Sequence, residues 1–472
     1  MGRASAAERN IWPFWVGAED ERTGEVAAAQ ALGPLLVEKR GADGAGQQIW
    51  RPIFLRETRP GRESAFVLYP LLSWEQRGDS SAFSLFQIVN HQRTTSAPDA
   101  AREGFDIWPL YFSRDTGDAA TSYRALLPIT GTIKHRFGKD ALTWHAFPLY
   151  FHVEQAGRHT RYTPWPFVRT TTGAGHHGFE LWPLAGQRRR DGDYRDGFFL
   201  WPLLYRSERN LSAAQPDVRL GFLPFYARAA GPGYRDETYL WPFFGYTDRT
   251  APQAYRETRY LWPLLVQGRG DQRHINRWAP IYSHSIVKGT DKTWLLWPLY
   301  RRASWQNGDL AHERQQLLFF LFWTEEQRSL TRPAAAPAHK THFWPLLSAW
   351  DNGAGQRQFQ ALSPLEVFFP HNHVVRQVYS PLLAVFRYDE RAPGHVRWSL
   401  LWNAVSHRRT PTEREFHLGP LLGTHSRDGA ARVTVGAGLL SWRRAAPAAR
   451  WRFSLFDFRR SFAPAGPPAA SP

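Results

Sequence analysis

Histidine pairs are the residues of this chain whose types and spacing could support metal chemistry. His176 and His177 stand in the glycine-rich segment GAGHHGF, which we expect to be a loop. His371 and His373, in FFPHNHVV, would share one face of a strand, and imidazole nitrogens are common zinc ligands. Neither pair has a carboxylate or a third histidine at a supporting spacing. We therefore interpret all four as loop or surface histidines and predict no metal site.

Patterns that would indicate catalysis are missing from the sequence. The adjacent carboxylates Glu325 and Glu326 fall in a predicted turn, where we expect them to be solvated. The sequence contains no cysteine, which excludes a cysteine nucleophile, a thiolate metal site and a disulfide framework. No nucleophile elbow, phosphate-binding loop or dinucleotide fingerprint occurs. We predict a protein that is not an enzyme, with no catalytic residue and no cofactor.

The elements that would position any site are defined by a repeat of short apolar segments such as IWPLYFS, LWPLLYR and LWPFFGY. Together with segments that lack proline, such as FSLFQIV and LLFFLFW, they make about 24 units spaced by roughly 17 to 24 residues. The aligned prolines are Pro13, Pro34, Pro52, Pro70, Pro109, Pro128, Pro148, Pro166, Pro183, Pro202, Pro224, Pro242, Pro263, Pro280, Pro298, Pro345, Pro364, Pro381 and Pro420.

Polar turn-forming segments such as EQRGDSS and RRRDGDYRDG separate the apolar segments. Asp-Gly and Gly-Asp pairs supply the positive φ that hairpin turns need. One such turn per unit indicates one strand per unit. The sequence therefore predicts an all-β antiparallel meander of about 22–24 strands, each about 8 to 14 residues long. Since proline cannot donate to a sheet ladder, we expect a bend or bulge at the centre of each strand.

The faces of these predicted strands indicate how the sheet is covered. Around Pro128 apolar and polar residues alternate, whereas around Pro202 both faces are apolar. A sheet with two apolar faces must be covered on both, so we predict closure into one large barrel, with a β-propeller or another β stack as the alternatives. The repeat forms a single domain over residues 1–462. The Pro/Ala-rich tail, residues 463–472, is predicted to be disordered.

The chain is strongly basic, with a formal net charge of +17, which indicates polyanionic partners. Lipid headgroups or lipopolysaccharide phosphates would suit arginines beside an aromatic band, although such arginines also protect strand ends against aggregation. We do not expect nucleic acid as a partner, because the aromatic residues are predicted to be buried. The arginine clusters are Arg188-Arg189-Arg190, Arg301-Arg302, Arg408-Arg409, Arg443-Arg444 and Arg459-Arg460.

Through its Trp-Pro-Leu-Tyr units and Arg-Asp-Gly turns, the chain resembles uncharacterised bacterial β-repeat proteins built from LWPLY…RRRDG units. It is more loosely similar to large outer-membrane β-barrels. The second resemblance implies a cell-envelope barrel that acts as a pore or handles lipid or lipopolysaccharide. The alternative is a soluble β-repeat module that binds carbohydrate or protein through its loops. We expect an outer-membrane location if a signal peptide precedes this sequence and a cytoplasmic one otherwise.

Overall fold

The computed structural model describes residues 6–20, 26–41, 44–95 and 103–458. These residues confirm the all-β prediction, because they form 45 strands that belong to one antiparallel meander sheet. They divide into two compact units, one between residues 79 and 306 and the other comprising the described residues of 1–78 and 307–472. We call these the middle unit and the terminal unit. The predicted tail, 463–472, and the pair Arg459-Arg460 lie outside the described residues.

The middle unit is an uninterrupted series of 24 strands in which each strand pairs with the next one along the chain. In chain order β9 to β32 are Ser80–Leu85, Val89–Thr94, Glu103–Ile107, Tyr111–Asp115, Tyr123–Leu126, Thr130–Arg136, Lys139–His145, Tyr150–Gln155, Arg158–Tyr162, Val168–Gly173, His176–Leu181, Ala185–Arg190, Tyr194–Phe199, Leu204–Arg209, Asp217–Phe222, Tyr226–Gly231, Tyr234–Tyr239, Phe244–Arg249, Tyr255–Leu261, Leu265–Gly270, Arg273–Trp278, Tyr282–Val287, Thr290–Leu295 and Tyr300–Asn307.

The terminal unit combines two series of hairpins with two short helices. Strands β1 to β8 are Ala6–Ile11, Trp15–Asp20, Val26–Ala31, Leu36–Arg40, Gly46–Trp50, Phe54–Arg59, Arg62–Val67 and Leu72–Arg77. Strands β33 to β45 are Leu310–Leu317, Phe322–Ser329, Ala338–Phe343, Leu347–Asp351, Arg357–Ala361, Phe386–Glu390, Val396–Leu400, Val405–Arg409, Glu413–Leu418, Leu422–Arg427, Ala430–Val435, Leu440–Arg444 and Arg452–Leu455. Helices α1 (His373–Val378) and α2 (Ser380–Leu383) connect β37 with β38, and a 3-10 turn, Gly436–Gly438, precedes β44.

The predicted number of strands was wrong, because the apolar segments are turns and not strand centres. In YRDGFFLWPLLYRSER, β21 ends at Phe199 and β22 begins at Leu204, so Trp201 and Pro202 lie in the turn between them. Each repeat unit is therefore a hairpin of two strands of four to eight residues. Proline fits this position because its fixed φ suits a turn. Its lack of an N–H costs nothing there, since no strand ladder needs a donor at that residue.

Backbone hydrogen bonds do not close the described strands into a barrel. Within each unit the strands pair with their neighbours along the chain, and among the described residues no ladder joins β45 with β1. The sheet also does not separate into four-stranded blades, so the propeller alternative is wrong. Among the described residues no helix is both long and apolar enough to cross a membrane.

The middle unit has its main apolar core between β12 and β16, on one face of the sheet. Trp144 is almost completely buried there, beside Phe112, Ile133 and Tyr123. Its indole nitrogen donates to the carbonyl of Leu126 at 3.1 Å, so its one polar atom is satisfied. The core is formed by one sheet face only, because the residues that alternate with these in the strands are largely polar.

Helix α1 packs against the N-terminal hairpins of the terminal unit. Val374 and Val378 form a buried cluster with Ile49 of β5 and Leu55 of β6, both fully inaccessible to solvent. The side chain of Asn372 caps the helix by accepting from the backbone N–H of Val375. The short helix thus joins the two chain segments of this unit.

Candidate functional site: the apolar edge

The hairpin turns that contain the repeated apolar residues lie at one edge of the middle unit, because every second turn of a meander falls on the same side. We call this edge the apolar edge. It comprises the turns 86–88, 108–110, 127–129, 146–149, 163–167, 182–184, 200–203, 223–225, 240–243, 262–264, 279–281 and 296–299. With strands about 4.8 Å apart, these turns follow a contour of about 110 Å along the sheet. The corresponding turns of the terminal unit have the same composition.

The backbone of these turns is hydrogen bonded, both within each turn and to the neighbouring turn. In the turn 200–203 the N–H of Leu203 donates to the carbonyl of Leu200 at 2.7 Å, with Pro202 at the third position. The peptide bond before this proline is cis, as in type VI turns, and the same holds at most of the aligned prolines. The remaining donors, Leu200 and Trp201, bond to the carbonyls of Leu184 and Pro183 in the neighbouring turn, at 2.6 and 2.7 Å.

The turn 200–203 therefore has no unpaired backbone N–H, since three are hydrogen bonded and the proline has none. The turns 240–243 and 296–299 repeat the arrangement, with Trp241 bonded to the carbonyl of Pro224 and Trp297 to that of Pro280, both at 2.7 Å. The proline that would weaken a strand thus removes the one donor that a turn at this edge could not pair. In place of the predicted bend or bulge in mid-strand, the structure has a turn in which every backbone N–H is hydrogen bonded or replaced by proline.

The side chains of the same turns are exposed. Trp297 keeps 56% of its surface accessible and Ile281 65%, values more typical of surface polar residues than of large apolar ones. This outcome contradicts the expected burial of the aromatic residues. The exposed large apolar side chains of the edge are Phe86, Ile88, Trp108, Leu110, Ile129, Leu149, Trp165, Phe167, Trp182, Leu184, Leu200, Trp201, Leu203, Phe225, Leu240, Trp241, Phe243, Trp262, Leu264, Ile281, Leu296, Trp297 and Leu299.

Aromatic rings from successive turns contact each other along the edge. Phe147 and Trp165 have ring centroids 5.6 Å apart, and Phe167 and Trp182 are 6.2 Å apart. Both pairs are tilted, as aromatic pairs with favourable quadrupole interactions commonly are. Ring contacts therefore join the three neighbouring turns 146–149, 163–167 and 182–184.

The opposite edge of the middle unit is polar. Its turns contain pairs such as Asp191-Gly192 and Lys288-Gly289, with both glycines at positive φ. The cluster Arg188-Arg189-Arg190 ends β20 at this edge, whereas Arg301 and Arg302 begin β32 directly beside the apolar edge. The unit is therefore amphipathic along its strands, with an apolar edge and a charged one about 20 Å apart for six-residue strands.

A buried polar cluster lies on the sheet of the terminal unit, where β1 meets β39 to β41. Glu8 forms an ion pair with Arg397 at 3.1 Å and accepts from Ser406 at 2.9 Å. Burial raises the pKa of Glu8, but Arg397, His417 and these hydrogen bonds outweigh it and lower the pKa below its usual value.

Glu415 belongs to the same cluster. Its carboxylate lies 3.1 Å from the guanidinium Nε of Arg408, which also pairs with Glu413 at 2.9 Å. Burial nevertheless raises the pKa of Glu415 to about 7, because Glu8 and Glu413 add to the desolvation and together outweigh the cations Arg408 and His425. Glu413, Glu415 and His425 have ligand atoms close enough for a metal. Arg408 already supplies the cation there, so the arrangement is an ion-pair network.

A second histidine–carboxylate cluster lies on the middle unit. His152 and Glu154 of β16 and His159 of β17 have ligand atoms that all lie within 4.8 Å of one another. Sequence reasoning missed this cluster, although the segment FHVEQAGRH contains the signal, a His-x-Glu pair followed by a histidine across a predicted Ala-Gly turn.

The residues selected from sequence do not come together. His176 is buried in β19, not in a loop, and its Nδ1 lies 2.9 Å from the hydroxyl of Tyr194, while His177 is exposed. His371 lies in a turn and His373 begins α1, so the expected shared strand face is wrong.

The carboxylates Glu325 and Glu326 lie within β34 and not in a turn, which corrects the sequence interpretation. Glu325 is buried and pairs with Arg314 at 2.8 Å and with His312 at 3.2 Å. Burial raises the pKa of Glu325, but hydrogen bonds, including those from Gln327 and Arg314, lower it overall. The interactions are those of an ion-pair network inside the sheet.

A serine–histidine contact occurs in the terminal unit but has no access to solvent. His342 Nδ1 lies 2.5 Å from the hydroxyl of Ser348, which donates to Ser363 at 2.7 Å. Burial, and then the charges of Lys340 and Arg314, lower the pKa of His342 to about 3. His342 and Ser348 are both fully buried, so this contact stabilises the sheet and offers no nucleophile.

Comparison with known proteins finds no family model that matches this chain and no curated protein that is similar to it. The argument for function therefore depends on the apolar edge and the clusters described above.

Proposed function

We propose that this protein binds a lipid surface, with the apolar edge of the middle unit inserted into the interface between headgroups and acyl chains. The observation that carries the proposal is the saturated backbone of the exposed turns. Apolar surroundings strongly disfavour unpaired N–H groups, and in the turns 200–203, 240–243 and 296–299 every N–H is bonded or replaced by proline. A surface that stays in water does not need every backbone N–H to be paired within the protein, because water can accept the hydrogen bond.

The side chains of the edge support the same function. Tryptophan is enriched where proteins meet the membrane interface, and the edge exposes it together with leucine and phenylalanine. A half-exposed Trp that leaves water gains on the order of 1–2 kcal/mol, about tenfold in partitioning. The net charge of +17 adds attraction to anionic headgroups. This chemistry is consistent with the envelope location and the lipid or lipopolysaccharide handling expected from the sequence.

Insertion of the edge fits the strand lengths better than a barrel wall that spans the membrane. A spanning strand needs about 9–11 residues with an outward apolar face. The strands here have four to eight residues, and their exposed apolar side chains concentrate in the turns. The proposal is therefore peripheral binding through one edge.

The test is flotation of the purified full chain with vesicles of phosphatidylcholine and phosphatidylglycerol. A triple variant, Trp201→Ser with Trp241→Ser and Trp297→Ser, removes three side chains that are 47–56% exposed at the edge. We expect the wild type to float and the partition coefficient of the variant to fall at least tenfold. Quenching of tryptophan fluorescence by brominated acyl chains should decrease in parallel.

The matched control replaces similarly exposed apolar residues outside the apolar edge, with Phe137→Ser, Leu330→Ser and Trp451→Ser in one chain. We expect this variant to float like the wild type. Equal loss in both triple variants would contradict the proposal. It would also be wrong if the wild type did not float but sedimented as an oligomer that the tryptophan variant dissociates, since the edge would then join copies of the chain.

A further inference from the structure

The hairpin β16–β17 carries three potential ligands on one face. His152 and Glu154 are two residues apart in β16, so their side chains point to the same side. The register places His159 of β17 directly opposite Glu154, across the turn at Ala156-Gly157. This face is the one opposite Phe151 and Trp144, so it lies outside the apolar core of the unit.

The two separations between Glu154 and the histidines are close to those around a tetrahedral ion. Glu154 Oε1 lies 3.6 Å from His152 Nδ1 and 3.5 Å from His159 Nδ1. Bonds of about 2.0–2.1 Å in tetrahedral geometry separate two ligand atoms by about 3.4 Å, so an ion fits after a shift of a few tenths of an ångström. The two imidazoles are stacked, with ring centroids 5.5 Å apart.

His152 is the most buried of the three residues, and its Nδ1 makes no hydrogen bond among the described residues. Its residue surface is only 9% exposed, yet its Nε2 is buried without a hydrogen-bond partner among the described residues. Its Nδ1 faces Glu154 Oε1 at a separation too long for a hydrogen bond. Nδ1, which faces the carboxylate of Glu154, is therefore the ring nitrogen that is available to a metal ion.

The carboxylate of the triad is not paired with an arginine or lysine among the described residues. Arg161, opposite His152 in the register, is exposed and makes no ion pair with Glu154 within the described part of the chain. At the Glu413–Glu415 cluster, by contrast, Arg408 lies within 3.1 Å of both carboxylates. Within the described residues, the carboxylate of Glu154 therefore has no paired arginine, in contrast to Glu413 and Glu415.

We propose that His152, Glu154 and His159 form a binding site for Zn²⁺, with a fourth position open to water. Two imidazoles and one carboxylate are a recurrent zinc ligand set. Glu154 and His159 are about 40% exposed, so the ion can enter from solvent and retain a water ligand. The site is separate from the apolar edge and does not depend on lipid binding.

The test is equilibrium dialysis of the EDTA-treated full chain against Zn²⁺, with the bound metal measured by mass spectrometry. Glu154→Gln and His159→Gln change partly exposed positions on two different strands, so both variants should fold, which circular dichroism checks. We expect the wild type to bind one equivalent that each variant loses or binds at least tenfold more weakly. Zn²⁺ should also raise the unfolding temperature of the wild type and not of the variants.

His145→Gln is the control, since His145 is an exposed histidine of the adjacent strand β15 whose Nδ1 lies 2.8 Å from the hydroxyl of Thr130. It should bind Zn²⁺ like the wild type. Equal stoichiometry and affinity in the wild type and both triad variants would overturn the proposal. An equal loss in the His145→Gln variant would overturn it as well, because the zinc would then be held by surface histidines in general.

Discussion

Replacement of Glu415 by Gln should make the terminal unit more stable at alkaline pH. Glu415 is almost completely buried, and its pKa of about 7 means that the folded chain prefers the protonated side chain. The groups that face it are Arg408 and His425, which favour the charged form, and Glu8 and Glu413, which oppose it. Glutamine has the shape of the protonated acid and cannot ionise.

The magnitude follows from the two pKa values. The difference between about 7 in the folded chain and 4.5 for an ordinary glutamate corresponds to about 3 kcal/mol. Because the folded pKa is raised, this stability is fully present below about pH 4.5 and is lost as the pH rises through 7. The Glu415→Gln variant does not lose this stability. At pH 8.5 its free energy of unfolding should therefore exceed that of the wild type by up to about 3 kcal/mol. The gain is reduced to the extent that Arg408 loses a partner.

The assay is hydrogen exchange of the backbone amides of β41 and β42, combined with urea unfolding, at pH 5 and pH 8.5. We expect the variant and the wild type to differ by less than about 1 kcal/mol at pH 5 and the variant to be clearly more protected at pH 8.5, after correction for the intrinsic exchange rate. Glu413→Gln is the control, because it removes a partner of both Arg408 and His425 and should destabilise at both pH values. The same pH dependence in wild type and Glu415→Gln would refute the reasoning.

Two further changes test the backbone and the buried ion pair. Gly192→Ala should cost about 1–2 kcal/mol in urea unfolding, because Gly192 has φ +71 although nothing lies near its missing Cβ. Gly197→Ala, in extended backbone, should cost much less, and equal costs would rule out the turn argument. Arg397→Met should cost about 3 kcal/mol, since it leaves Glu8 buried without its cation. Arg40→Met removes an exposed ion pair and should change stability by less than about 1 kcal/mol; a similar loss in both would disprove the assignment.

The location of proline in the repeat shows which part of the fold the sequence pattern predicts correctly and which part it does not. The apolar segment around Pro202 has no alternation, which predicts a strand covered on both faces. It is a turn, and the strands are the flanking segments, such as Ala185–Arg190, which are mostly polar. Apolar residues are ordinarily buried and turns are ordinarily polar, so a chain that inverts both rules misleads an assignment made from hydrophobicity.

The polar clusters show a second limit. The spacing of His152, Glu154 and His159 is visible in the sequence, but only a hairpin register brings His159 opposite Glu154. The pair Glu8–Arg397 joins residues 389 positions apart, and no local pattern connects them. Such contacts arise from the packing of β1 against β39 to β41, which is a property of the tertiary structure.

The sequence by itself determined the local structure of this protein: an all-β chain, an antiparallel meander and glycine turns repeated at a near-constant spacing. These features depend on short-range rules, since turn chemistry and strand propensity act over a few residues. The tertiary structure alone decided that the apolar segments are turns, that their backbone donors are paired with the neighbouring turn, and that Glu415 is buried among charges. The reason is that pairing, exposure and pKa depend on which strands become neighbours.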